Sequence, residues 1–237
     1  MGGHPGPPPR RPGMTVPSGA PEGTRTRAPG DAPPGGLLGD LGRLPAADTP
    51  AGRFRLRPVR LPDDLPMLAA WMNDPAVAAF WELDGPPGTT ADHVGAQLAG
   101  DGRSVPCVGV LDGRPVSYWE LYRADLDPLA LHYPARPHDT GVHLLLGPAD
   151  TRGRGLGGLL IGAVADLVLR ALPHCTRVVA EPDVRNAASV AAFRAAGFRR
   201  TADLDLPGKR AALMVRDRSP QPTPPAPPVR RSPADPP

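Results

Sequence analysis

The prolines and the aromatic side chains of this chain keep apart. Residues 1–50 hold 12 of the 36 prolines and residues 219–237 hold nine, whereas all ten aromatic residues lie between 51 and 218. A core needs the large apolar side chains, and proline-rich ends without them bury too little surface to offset the entropy of ordering. The expectation is one folded domain over 51–218, long enough for a single core without staples, between disordered Pro/Gly-rich tails at 1–50 and 219–237.

Two cysteines, Cys107 and Cys175, form neither a disulfide framework nor a CxxC site, which fits a reducing compartment. No apolar run approaches the length of a membrane span. Arg10-Arg11 is followed by Pro and Gly rather than by the apolar segment an export signal requires. A cytoplasmic protein without membrane partners is expected. The net charge of +3 divides into about +1 for each tail and +1 for the domain. With no basic stripe, nucleic acid is not an expected partner.

The periodicities place the elements. Phe54–Arg60 alternates as a strand; helical spacing follows Pro62-Asp63-Asp64 and again Asp74-Pro75, and Thr90 is placed as the cap of a third short helix. Val105–Leu111 and Pro115–Tyr122 flank Asp112-Gly113, a two-residue hairpin turn. Residues 123–139 read as a loop, Val142–Gly147 as a buried strand, and 156–172 as a long amphipathic helix. A strand at 178–181, a helix from about Asn186 to Ala196 closed by Gly197, and strands near 198–204 and 210–216 complete the domain. The fold class is α/β (or α+β) around one mixed sheet.

Between the buried strand and the long helix lies Arg152-Gly153-Arg154-Gly155-Leu156-Gly157. Backbone N–H groups at a helix start, at the positive end of its dipole, suit a phosphate or pyrophosphate, and Arg152 and Arg154 add charge-assisted bonds. The run is neither the Walker phosphate loop nor GxGxxG, and a glycine-rich helix start with no ligand is the competing reading.

The wider pattern is more specific. Arg152-x-x-Gly155-x-Gly157 opening a long helix, then Asn186-x-x-Ser189-x-x-x-Phe193-x-x-x-Gly197-Phe198, resembles the acetyl-CoA-binding half of the GNAT superfamily of N-acetyltransferases. Tyr118–Tyr122, His138–Pro148 and Glu181–Asn186 are similar to segments of the lysine N-acyltransferases of hydroxamate siderophore synthesis, the aerobactin and mycobactin types. The resemblance covers roughly 54–216. It implies a mixed, mostly antiparallel sheet whose central parallel strands splay apart, with acetyl-CoA or another acyl-CoA as acyl donor. It also implies pyrophosphate on 152–157, pantetheine along the strand at Leu145 and Leu146, and Asn186 and Ser189 on the cofactor side.

Transfer of an acyl group to an amine needs a neutral nucleophile and a home for one proton. A lysine amine, with a pKa of ~10.4, costs roughly 4–5 kcal/mol to deprotonate at neutral pH, whereas an N-hydroxylated amine arrives neutral. The resemblance implies a His143/Asp183 catalytic pair. Within an apolar strand at the cleft, His143 is expected to be a base titrating close to the working pH, with Asp183 orienting it or accepting the proton, unless Asp183 caps the following helix. Trp119, Glu120 and Tyr122 are candidates for acceptor contact, with Glu120 either meeting an ammonium or standing as an exposed strand glutamate. Trp71, Phe80 and Trp81 are read as core. Phe193 departs from the tyrosine many superfamily members carry, so the departing thiolate takes its proton from water, from a cleft side chain such as Tyr122, or not at all. His132, His138, Asp139 and His143 match no zinc spacing, and no metal is expected.

Two other functions compete with the siderophore reading. An aminoglycoside 6′-N-acetyltransferase shares the loop and the following helix but usually carries Asp where this chain has His143. The other is a non-catalytic CoA-binding module whose tails recruit partners.

Overall fold

A computed structural model describes residues 38–218 apart from 40, 42 and 43. The two proposed tails fall mostly outside these residues. The folded part nevertheless starts earlier than position 51, for Leu38 and Leu41 are 1% and 2% exposed in the main core and a short strand, β1 (Ala47–Thr49), precedes it. Composition misses this segment because two leucines beside prolines and glycines barely raise its hydrophobicity.

The remaining strands are β2 (Gly52–Pro58), β3 (Ser104–Leu111), β4 (Arg114–Arg123), β5 (Thr140–Leu146), β6 (Arg177–Ala180), β7 (Arg199–Leu206) and β8 (Lys209–Asp217), in one sheet ordered β1-β2-β3-β4-β5-β6-β8-β7. All neighbours are antiparallel except β5 and β6. The hairpin of β3 and β4 turns at Asp112 and Gly113, both at positive φ (45° and 84°), as a two-residue turn of this hand requires.

Each face of the sheet is covered. One packs against α4 (Leu156–Ala171) and α5 (Ala187–Ala195), burying Phe54, Trp119, Leu121, Val142 and Met214 with Leu160, Ile161 and Val164. The other carries two smaller cores. Val59, Val108, Tyr118 and Leu145 meet α1 (Leu65–Met72), α2 (Pro75–Trp81) and α3 (Pro87–Leu98), while Tyr122, Val179 and Leu213 meet the short 3₁₀ turns of 124–131 and Tyr133. Asp74 caps α2 as its sequence implies, accepting from the Ala76 N–H at 2.9 Å. Thr90 does not cap α3, which starts three residues earlier at Pro87, and it lies inside the helix.

The parallel pairing is brief. β5 and β6 meet only at Thr140 with Val178 and Gly141 with Val179, while β5 stays paired to β4 as far as Leu146. Beyond Gly141 the two strands diverge, and the β6-facing edge of residues 142–146 has no strand beside it. At the far end of that edge lies the glycine run before α4.

Candidate active site

The strand alternation decides which side chains reach this cleft. On β4, Tyr118, Glu120 and Tyr122 face the two smaller cores and Trp119 faces the other way. Trp119 is fully buried against Phe54, its indole N–H on the Ser117 hydroxyl, so it cannot touch an acceptor. On β5, His143 projects to the same side as Glu120, directly opposite it in register. Glu181 follows the last residue of β6 on the side of Val179.

These three converge. His143 Nδ1 lies 3.0 Å from Glu120 Oε2 and Nε2 lies 2.5 Å from Glu181 Oε1. Burial works to lower the His143 pKa, but the Glu181 charge and hydrogen bonds to both carboxylates outweigh it and raise it to about 10. Burial likewise opposes ionisation of Glu120 and Glu181, yet contact with His143, aided by His93 at Glu120 and Lys209 at Glu181, holds both carboxyls well below the usual range. At neutral pH the resting site is thus carboxylate, imidazolium, carboxylate, with a proton on each ring nitrogen. The expected histidine titrating near the working pH is corrected: flanked by two anions, His143 holds its proton to well above neutral pH.

The glutamates are themselves held. Glu120, 7% exposed, accepts at Oε1 from Tyr118 Oη (3.0 Å), Gln97 Nε2 (2.7 Å) and His93 Nε2 (2.6 Å). It is neither an exposed strand glutamate nor free to meet an ammonium. Glu181 accepts from Tyr122 Oη at 2.8 Å, and Lys209 Nζ, on the only lysine of the chain, donates to its backbone oxygen at 2.8 Å. Tyr122 therefore offers the site its ring, 4.9 Å between centroids from that of His143, while its hydroxyl is engaged. Trp81, read as core, also comes to the site, edge-on to His143 at 6.2 Å and to Tyr118 at 5.6 Å. Trp71 fits its core reading, its ring filling the space a side chain at Gly147 would need.

Asp183 is not the partner of His143. Its carboxylate accepts from the Arg185 backbone N–H (2.8 Å) and from the Arg185 guanidinium (2.6 Å), and that pairing holds its pKa below the ordinary value. Nor does it cap α5, since Asn186 does so by accepting from the Ser189 N–H at 3.0 Å. Pro182 and the turn at Asp183 swing the chain away after Glu181, so the nearer acid of the Glu-Pro-Asp sequence takes the role. His93 and Gln97, one turn apart on α3, carry no signal in the sequence beyond helical spacing, and only the packing of α3 over β4 shows their purpose.

On the cofactor side, Gly153 (φ +71°) and Gly155 (φ +78°) adopt left-handed backbone and have nothing within 4 Å of where a Cβ would stand. Such a cradle at the start of a long helix fits a phosphate group. Gly158 has another purpose, letting α4 approach Ala192 and Ala195 of α5 closely. Arg152 is a correction. It turns inward, donating to Leu146 O (2.9 Å), Gly147 O (2.6 Å) and the Asp74 carboxylate (2.9 Å), and so braces the loop with its guanidinium engaged within the protein. Arg154 is exposed, Leu156 and Leu146 pack partly buried at the loop, and the Leu145 side chain lies in the core beneath α1–α3. Asp139 is fully buried on Arg177 (2.7 Å).

A splayed parallel pair beside a glycine cradle points to one family, and residues 60–206 match its model, an acetyltransferase (GNAT) domain. The chain belongs to the GNAT acetyltransferase family. It is similar to the lysine N-acyltransferase MbtK of Mycolicibacterium paratuberculosis, with 37% identity over 73% of this chain and 76% of that protein. It is also similar to the N(6)-hydroxylysine O-acetyltransferase of Escherichia coli, with 34% identity over 65% of this chain and 49% of that one. Among solved structures, an uncharacterized protein from Bacillus halodurans superposes with a TM-score of 0.68 at 33% identity, covering 73% of this chain and 89% of that one. The aminoglycoside acetyltransferase AAC(6')-Ib in complex with coenzyme A gives 0.63 at 26% identity, covering 70% and 95%. This GNAT protein is an acyl-CoA-dependent N-acyltransferase.

Proposed function

We propose that the protein acylates the side-chain amine or hydroxylamine of lysine, or of a related diamine, in the assembly of a hydroxamate siderophore. The observation that carries this reading is His143 held between Glu120 and Glu181 at the splay, one cation between two anions. Such a site carries net negative charge toward a basic acceptor, and the relatives named for lysine and hydroxylysine share that class of acceptor. The buried, free thiols of Cys107 and Cys175 suit a reducing, cytoplasmic setting.

In the reaction, a neutral acceptor nitrogen attacks the thioester carbon, the C–N bond forms and the C–S bond breaks with its electron pair on sulfur. The nitrogen sheds one proton to the Glu181 carboxylate. His143 Nε2–H supplies one to the sulfur, and return of the proton from Glu181 to Nε2 restores the site. This assignment gives the thiolate an acid although Phe193, buried edge-on to Phe198 at 5.1 Å, has no hydroxyl to offer. The test is a thiol-release assay crossing acetyl-, succinyl- and long-chain acyl-CoA with lysine, N6-hydroxylysine, hydroxycadaverine and an aminoglycoside. The hydroxylamines should lead at neutral pH and lysine should gain on them as pH rises; a faster aminoglycoside would overturn the reading.

A further inference from the structure

The splay between β5 and β6 narrows to a closed end. From the glycine cradle the free edge of β5 runs back through Leu146 and His143 to Gly141, where β5 meets Val179 of β6. An acyl-CoA with its pyrophosphate on the cradle and its arm along this edge brings its thioester to His143, so the acyl chain points on toward Gly141. The strand from His143 to Gly141 is only about 7 Å long. At its end stands Tyr122. This residue pairs with Gly141 across β4 and β5, on the face that carries His143, and its ring fills the space a Cβ at Gly141 would take. The ring is buried and fixed: its hydroxyl donates to Glu181 Oε2, its side lies against His143, and Leu129, Val179 and Leu213 pack around it. The opposite face of the seam offers no second route, because Val142 and Val178 are buried there in the main core.

We propose that Tyr122 is the end wall of the donor pocket and a specificity-determining residue that confines the enzyme to short acyl groups, acetyl above all. Gly141 belongs to the same device, since any side chain there would displace the ring. To admit a longer chain the ring would have to swing aside, giving up its bond to Glu181 and leaving a buried carboxylate oxygen without that donor. A small side chain at position 122 would instead open the pocket onto Leu129, Val179 and Leu213, an apolar lining suited to methylene groups.

The inference rests on the acyltransfer reading and adds to it the class of acyl donor. Its test compares acetyl-CoA with hexanoyl-CoA on the full-length protein, by calorimetry without acceptor and by thiol release with N6-hydroxylysine. The quantity read is the hexanoyl-to-acetyl ratio within each protein, which cancels any general loss of activity from disturbing Glu181. Wild type should favour acetyl-CoA by about tenfold or more in kcat/KM. Tyr122→Ala should move the ratio toward hexanoyl-CoA by about tenfold or more, and Tyr122→Val serves the same purpose should the alanine variant not fold. Tyr122→Phe, which keeps the wall and loses only the hydroxyl, should stay within about threefold of the wild-type ratio. Wild type that takes hexanoyl-CoA as readily as acetyl-CoA, a small side chain that leaves the ratio unchanged, or a phenylalanine that shifts it as far as alanine does, each overturns the proposal. The expected ratios in binding, from a protein that acylates no amine, would leave the wall in place and overturn the functional reading instead.

Discussion

The two sides of the cleft are built on opposite plans. The loop at 152–157 is one contiguous stretch, exposed over residues 153–155, shaped by backbone conformation and free of side-chain contacts at Gly153 and Gly155. The acceptor side draws Glu120, His143, Glu181, His93 and Lys209 from five separate places in the chain, buries the carboxylates and satisfies each with several donors. A backbone cradle tolerates side-chain changes that spare its φ angles and its charge. A buried polar network does not, because each lost partner leaves another group unpaired.

The sharpest separation should come from His143→Ala. Turnover is expected to drop about 10²–10⁴-fold, the usual range for a proton-transferring group, while calorimetry finds acyl-CoA affinity nearly unchanged. A parallel collapse in acyl-CoA binding would show that the two sides are not independent.

Next come the two acids of the Glu-Pro-Asp sequence. Glu181→Gln removes the anion facing Nε2 and should cost about 10²-fold or more in kcat. Asp183→Asn breaks a pairing with an arginine that is 70% exposed and should change kcat less than about threefold. Steady-state kinetics of the two variants side by side decides the assignment, and equal losses would restore Asp183 to the mechanism.

On the loop, Gly155→Asp and Gly155→Asn both tolerate the left-handed backbone and differ in charge alone. The aspartate should weaken acyl-CoA binding by about tenfold or more relative to asparagine, from a carboxylate against a phosphate at close range. Calorimetry showing equal affinities would place the pyrophosphate elsewhere.

The smallest effect is on stability against pH. His143 has a folded pKa raised to about 10, above its unfolded value, so its contribution is complete below about pH 6.5 and fades as pH rises toward 10. Glu120 and Glu181 are depressed, so theirs is complete above about pH 4.5 and fades in stronger acid. Tm should peak between those limits and decline toward alkaline pH, with the alkaline decline shallower in His143→Gln. Thermal scans across pH measure it.

What the sequence disclosed follows the same division. The hairpin at Asp112-Gly113, the capped α2, α4 and the glycine run rest on contiguous patterns, and each stands where its pattern puts it. His143 was legible as a polar residue in an apolar strand. Its partners were not: Glu181 and Asp183 are equivalent in composition, and only the turn after Pro182 separates them. His93 and Gln97 look like any polar pair on an amphipathic helix until α3 is laid over β4. Leu38 and Leu41 were hidden for a related reason, since their burial depends on where the main core ends rather than on their neighbours in sequence.

The brevity of the β5–β6 pairing has a mechanical side. Two residue pairs are all the sheet contributes at that seam, and just past them Glu181 reaches across to His143 and Tyr122 to Glu181. Those side chains act as a clasp where the backbone ladder stops, with β4 and β5 on one jaw and β6 on the other. Whatever tugs on the clasp, whether a proton withdrawn from the imidazolium or an acceptor competing for Glu181, is felt as a change in how far the jaws stand apart.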